Sequence, residues 1–139
     1  WSSDVCSSDL RETSFGKPVP NCYDDAFILR GEIVEIKSKP TLPTGTIGMD
    51  AFGNIPSFED KGIRKRAIIA LGRQDIRVEG ITPLDNDISI FGASSDHLIL
   101  DVTDSKKQLI VGSIVEFKID YGCLLKAMTS PYVEKYYNN

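Results

Sequence analysis

The sequence predicts a mainly β fold, a small antiparallel β-barrel or sandwich, and three observations carry that prediction. Short runs rich in β-branched and aromatic residues recur at close spacing. Gly, Pro, Asn, Asp and Ser cluster between them. The run from Ile114 to Tyr121 alternates strictly, with Val115, Phe117, Ile119 and Tyr121 on one side and Glu116, Lys118 and Asp120 on the other. Successive side chains of a strand point to opposite faces, so this last pattern describes a strand with one face in the core and one in water. Several such strands joined by turn residues fit a barrel or sandwich.

The chain opens with Trp1 to Leu10, in which Val5-Cys6-Ser7-Ser8-Asp9-Leu10 resembles the translation of a widely used sequencing-adapter oligonucleotide. Residues 1–10 are therefore expected to be an artefact outside the fold. The first methionine, Met49, falls inside apparently structured sequence, so the reading frame is expected to be truncated. Residues 11–24, with Gly16, Pro18 and Pro20 and little apolar periodicity, read as a linker, and residues 25–139 as a single β-domain.

Within that domain, Ala26 to Ile36 is apolar and β-branched, but its alternation breaks around Gly31, which predicts a bulged or bent strand. Lys39 to Gly62, punctuated by Pro40, Pro43, Gly45, Gly48, Gly53 and Pro56, predicts a long loop with at most one short strand. Arg66 to Leu71 is apolar on both faces and ends at Gly72, as a central strand would. Ile88 to Phe91, His97 to Val102 and Ile114 to Tyr121 are further strands. Leu124 to Met128 predicts a short helix before Pro131, followed by a tyrosine-rich end.

Composition excludes several function classes. The net charge is −4, and −2 once Asp4 and Asp9 are set aside with the leader. That is no electrostatic footprint for nucleic acid. No apolar run approaches the roughly 20 residues that span a bilayer. Cys22 and Cys123 stand far apart without a CxxC pair or a secretory signal, so they read as reduced thiols of a soluble, cytoplasmic protein. There is no P-loop, no GxSxG, no metal-spaced Cys/His set, and one histidine, His97. No metal is expected.

Function enters through a resemblance. Thr44 to Asn54, Phe58 to Ala67, Gly72-Arg73-Gln74-Asp75, Gly92 to Asp101, and Tyr121-Gly122 through Ser130 to Lys135 together resemble, in order, the carboxy-terminal region of the fold-type III amino-acid racemases of the alanine/ornithine branch. The resemblance covers essentially everything after Leu10. It implies an alanine-racemase C-terminal-like β-domain, with residues 11–24 following the end of a (β/α)8 barrel that is absent from this chain. It also implies pyridoxal 5'-phosphate as cofactor, held by a lysine of that barrel and by none of the ten lysines here, so that this chain alone is inactive. A homodimer is implied, in which the β-domain of one subunit completes the site of the other, with alanine or ornithine as the substrate.

Racemisation removes a proton from one face of the α-carbon and returns it on the other, with the cofactor ring as electron sink, so it calls for two acid–base groups. In alanine racemases one is the barrel lysine and the other a tyrosine in a Gly-Tyr-x-Asp-like turn of the β-domain. The matching turn here is Gly72-Arg73-Gln74-Asp75, with Arg73 at the tyrosine's position. A guanidinium stays protonated and is a poor base, though it binds carboxylates. The second base is then another tyrosine such as Tyr121, or a barrel residue, or else the matching turn is locally shifted from these four residues. Arg73 and Asp75 are substrate-binding candidates.

Ser94-Ser95-Asp96-His97 resembles the family's Met-Asp-Gln turn facing substrate, which adds Ser95, Asp96 and His97; Ser and Asp are also ordinary turn formers. Tyr121 matches a tyrosine that reaches the cofactor phosphate, and it equally completes the apolar face of the last strand. Asp50, Glu59, Asp60, Arg64 and Arg66 cluster around the long loop as binding residues, a dimer contact or a solvated charged rim. Two alternatives stand beside the racemase: a non-catalytic interaction module, and a pyridoxal-phosphate enzyme of the same architecture with another reaction. Barrel-facing apolar surface is expected to make the isolated domain self-associate.

Overall fold

In the computed structural model, residues 26–40 and 62–137 are described. They form six strands, β1 (Ile28–Pro40), β2 (Ile63–Ile69), β3 (Ile81–Pro83), β4 (Ser89–Ala93), β5 (Leu98–Asp101) and β6 (Ile114–Ile119), and one helix, α1 (Tyr121–Thr129). Among the described residues a 3-10 turn, Val78–Gly80, precedes β3. The long loop expected over residues 39–62 falls almost wholly outside the described residues.

All pairings are antiparallel, in the order β3-β6-β1-β2-β5-β4. The two ends of that order, β3 and β4, follow one another in sequence with only residues 84–88 between them. A link that short brings the outer strands together, so the sheet curls into a nearly closed barrel. The expected mainly β, antiparallel barrel is therefore the observed fold.

Alternation builds the core. On β6, Val115, Phe117 and Ile119 are buried, and Phe117 meets Leu29 across the β1–β6 pair. On β2, Ala67 and Ile69 point inward, and β5 adds Leu98 and Leu100. Burying side chains of this size stabilises a fold by about 1.5–3 kcal/mol each relative to leaving them in water. The central position expected for β2, between β1 and β5, is observed, though Ile68 on its outer face keeps some exposure.

β1 is bent, but not where the broken alternation suggested. Leu29, Gly31 and Ile33 all face inward, and a side chain at Gly31 would come within 2.5 Å of Ile69 Cγ2. Gly31 therefore keeps the alternation and leaves its space to Ile69. The bulge falls at Val34, where the register with β2 jumps from Ile33↔Ile69 to Glu35↔Ile68. It turns Ile36 back toward the core, where Ile36 lies opposite Ala67. A spacing of three residues between Ile33 and Ile36 cannot share one face of a regular strand, and one extra residue resolves it.

β6 ends before the Tyr121 that its alternation predicted. The strand stops at Ile119, and Tyr121 is the first residue of α1, so it does not extend the strand's apolar face. Asp120 makes the change: its side chain accepts a hydrogen bond from the Cys123 N–H at 2.7 Å, capping the helix. The helix buries Cys123 and Ala127 against the barrel while Tyr121, Leu125 and Met128 face outward. Beyond it, Tyr132, Tyr136 and Tyr137 are all more than three-quarters exposed.

Candidate functional site

Two loops at one end of the barrel are joined through their backbones. The Arg73 N–H donates to the Ser94 carbonyl and the Gln74 N–H to the Ser95 carbonyl, each at 2.9 Å. The loops approach so closely at Gly72 that any β-carbon there would overlap the Ser95 carbonyl and the Asp96 backbone. Only glycine allows this contact without moving the chain. The first loop is a tight turn in which the N–H groups of Asp75 and Ile76 both return to the Gly72 carbonyl. The second is pinned by Ser94, whose N–H donates to the His97 carbonyl at 2.8 Å and whose hydroxyl oxygen accepts from the His97 N–H at 3.1 Å.

Helix α1 supplies a third wall. Lys126 donates from its ammonium to the Arg73 carbonyl. Arg77 pairs with the cap residue Asp120 at 3.1 Å and lies across Gly122. Between these walls is an open groove of about 610 Å3, lined by Arg73, Gln74, Ile76, Arg77, Glu79, Ser95, Gly122 and Lys126. Its apolar contact is Ile76. Among the described residues, Glu79 is the only carboxylate that lines it. Arg73 donates to Glu79 at 2.7 Å, and this hydrogen bond, with the positive charges of Arg73 and Arg77, holds the Glu79 carboxyl below its ordinary range.

The residues expected from sequence fall into four places. Arg73 and Ser95 line the groove together. Asp96 and His97 sit in the exposed turn beside it, where Asp96 accepts a 2.8 Å bond from the Ser95 hydroxyl. Tyr121 lies next to Gly122 at the start of α1 and is itself about two-fifths exposed. Asp75 is different: it is buried and accepts the Ser130 hydroxyl at 2.7 Å, tying the first loop to the far end of the helix.

Gln74, Arg77, Glu79 and Lys126 are groove residues that the sequence reading did not single out. The one available signal was proximity: three of them follow within six positions of Arg73. Lys126 is brought in by the helix alone.

Of the charged rim, Asp50, Glu59 and Asp60 lie outside the described residues. Arg64 bridges Asp101 at 2.8 Å and Asp104 at 2.6 Å, and Arg66 stacks over the Phe91 ring at 3.9 Å. Cys123 is a buried thiol pushed up to about 11 by desolvation, so it is no nucleophile at neutral pH. No helix among the described residues is long and apolar enough to cross a membrane.

No family model matches the chain. Individual curated proteins do. Over 125 residues, 90% of this chain, it is 54% identical to an ornithine racemase of Acetoanaerobium sticklandii, of which it covers 35%. Over 113 residues, 81% of this chain, it is 50% identical to a lysine racemase of Thermotoga maritima, of which it covers 32%. The chain thus spans about a third of the length of the curated relatives it matches. Its homologues are amino-acid racemases, and its six-stranded barrel is similar in sequence to one third of them.

Proposed function

We propose that residues 25–139 are the carboxy-terminal β-domain of a pyridoxal-phosphate-dependent racemase that interconverts the L and D forms of a basic amino acid. The groove beside Arg73 and Ser95 would be this chain's half of a dimer-interface active site. The observation that carries the reading is the 54% identity to an ornithine racemase across nine-tenths of the chain. Both relatives are named for amino acids with a terminal amine, which favours a basic substrate over alanine.

The groove's chemistry supports the reading. Arg73, Arg77 and Lys126 are donors suited to a substrate carboxylate or a cofactor phosphate. Pyridoxal phosphate, when bound, supplies the electron sink that makes an α-proton labile. This chain's residues would orient the substrate, exclude water and hold charge. The outward apolar side chains of α1, Tyr121, Leu125 and Met128, are what a domain that docks on a larger body would present.

Arg73 also supports a second reading, a different reaction on the same architecture, because a guanidinium already bonded to Glu79 cannot serve as the second base.

The test is the full-length protein, purified with added pyridoxal phosphate and given L-ornithine, L-lysine and L-alanine. Loss of optical rotation from ornithine or lysine, faster than from alanine, is the expected result. A yellow protein that racemises none of the three would favour the second reading. A colourless one would leave only a non-catalytic interaction module.

A further inference from the structure

We infer that Glu79 receives the terminal ammonium group of the substrate, and so selects a basic amino acid over a neutral one of the same chain length. The inference rests on the racemase reading above. Arg73, Arg77 and Lys126 bring three cations to its walls, and these oppose a second ammonium group on the incoming molecule. A carboxylate in such a groove offsets that repulsion and draws a basic side chain in.

Among the described residues, Glu79 is the only carboxylate that lines the groove. Asp75 is buried beneath it against Ser130, and Asp120 is engaged by Arg77 and by the helix N-terminus. Glu79 stands on the 3-10 turn Val78–Gly80, whose neighbours Val78 and Gly80 are buried, so its backbone is fixed while its side chain faces the groove. A carboxylate accepts several hydrogen bonds, and Arg73 takes one of them at Oε1. In the absence of substrate, Arg73 therefore acts as a placeholder cation that the substrate's ammonium joins or replaces.

This assignment separates from a merely structural role. If Glu79 did no more than position Arg73, its removal would disturb every amino acid alike, because all share the α-carboxylate. If Glu79 also holds the terminal ammonium, substrates that carry one suffer far more than those that do not.

The experiment compares the full-length wild-type protein with Glu79→Gln and Glu79→Asp, using L-ornithine and L-norvaline, which has the same carbon chain without the terminal amine. Equilibrium binding is measured by calorimetry, and KM and kcat by polarimetry with pyridoxal phosphate present. E79Q is expected to weaken ornithine binding and raise its KM at least tenfold more than it does for norvaline. E79D is expected to recover part of the ornithine affinity. Equal losses for both ligands, or no loss for either, would overturn the assignment while leaving the racemase reading intact. So would a wild-type protein that handles norvaline as well as ornithine. A wild-type protein that binds and racemises neither would overturn the racemase reading itself, and this inference with it.

Discussion

The Ser130 hydroxyl donates a 2.7 Å hydrogen bond to the Asp75 carboxylate across 55 positions of sequence, and both residues are buried. The bond fastens the turn after β2 to the point where α1 ends. Ser130 Oγ also accepts from the Tyr132 N–H at 3.1 Å, so removing it strands partners on both sides. Ser130→Ala is expected to cost about 2 kcal/mol, the range for a hydrogen bond to a buried charged group. Urea denaturation of the variant against wild type checks this. A loss below about 0.5 kcal/mol would show that the bond is ornamental.

Gly72→Ala and Gly92→Ala form a matched pair. A methyl at Gly72 collides with the backbone of Ser95 and Asp96, whereas one at Gly92 meets nothing within 4 Å. The first is expected to cost about 1–3 kcal/mol, as overpacking does, and to shift the amide resonances of Ser94 to His97. The second is expected to lie within about 0.5 kcal/mol of wild type. Equal effects would mean that the two loops are not held in contact.

Asp120→Ala removes the cap of α1 and the partner of Arg77 together. Loss of an N-cap side chain costs about 0.5–2 kcal/mol. Because Gly122 and Lys126 of α1 line the groove, loosening the first turn is also expected to weaken ligand binding there. Asp120→Asn, which keeps an acceptor at the cap, separates the two effects: it should restore most of the stability.

Asp101 carries a dependence on acid. Burial raises its pKa, but hydrogen bonds from Arg64 and Thr103 and the Arg64 charge outweigh burial and hold it below the ordinary 3.8. A carboxyl with a depressed folded-state pKa stabilises the fold fully above its unfolded value, and that contribution is lost as pH falls through the folded one. The stability gap between wild type and Asp101→Asn is therefore expected to be constant at neutral pH and to shrink below 3.8. Denaturation midpoints followed from pH 7 to 3 measure it; a gap independent of pH would refute the linkage.

A period of two made β6 legible, with Val115, Phe117 and Ile119 inward, whereas β2, β4 and β5 were legible as short apolar runs between turn residues; the bulge that puts Ile90 and Ala93 of β4 on the same side, three positions apart, was not. β3 was not legible: Ile81–Pro83 has three residues, one of them proline, and is a strand only because β6 pairs with it. A short edge strand is where a sheet tolerates proline. Gly31 misled the reading of β1, since an inward glycine looks like a break when its space is filled from another strand. Tyr121 continued an alternation that Asp120 had already ended by capping the helix.

For the site, the two loops were marked by their turn residues and by resemblance. Their contact rests on backbone bonds between segments some twenty positions apart, and no local pattern encodes that. Lys126 joins them only through the packing of α1.

The strand order also dictates when this domain can form during synthesis. β6 pairs with both β1 and β3, and its partner Ile28 lies ninety residues ahead of Lys118. Until the last strand leaves the ribosome, β1 has one neighbour and β3 has none. The hairpin of β4 and β5 can form early, but the barrel cannot close cotranslationally from its amino-terminal end. Folding of this domain waits for its final quarter, and a nascent chain halted before residue 114 exposes the apolar edge that β6 would have covered.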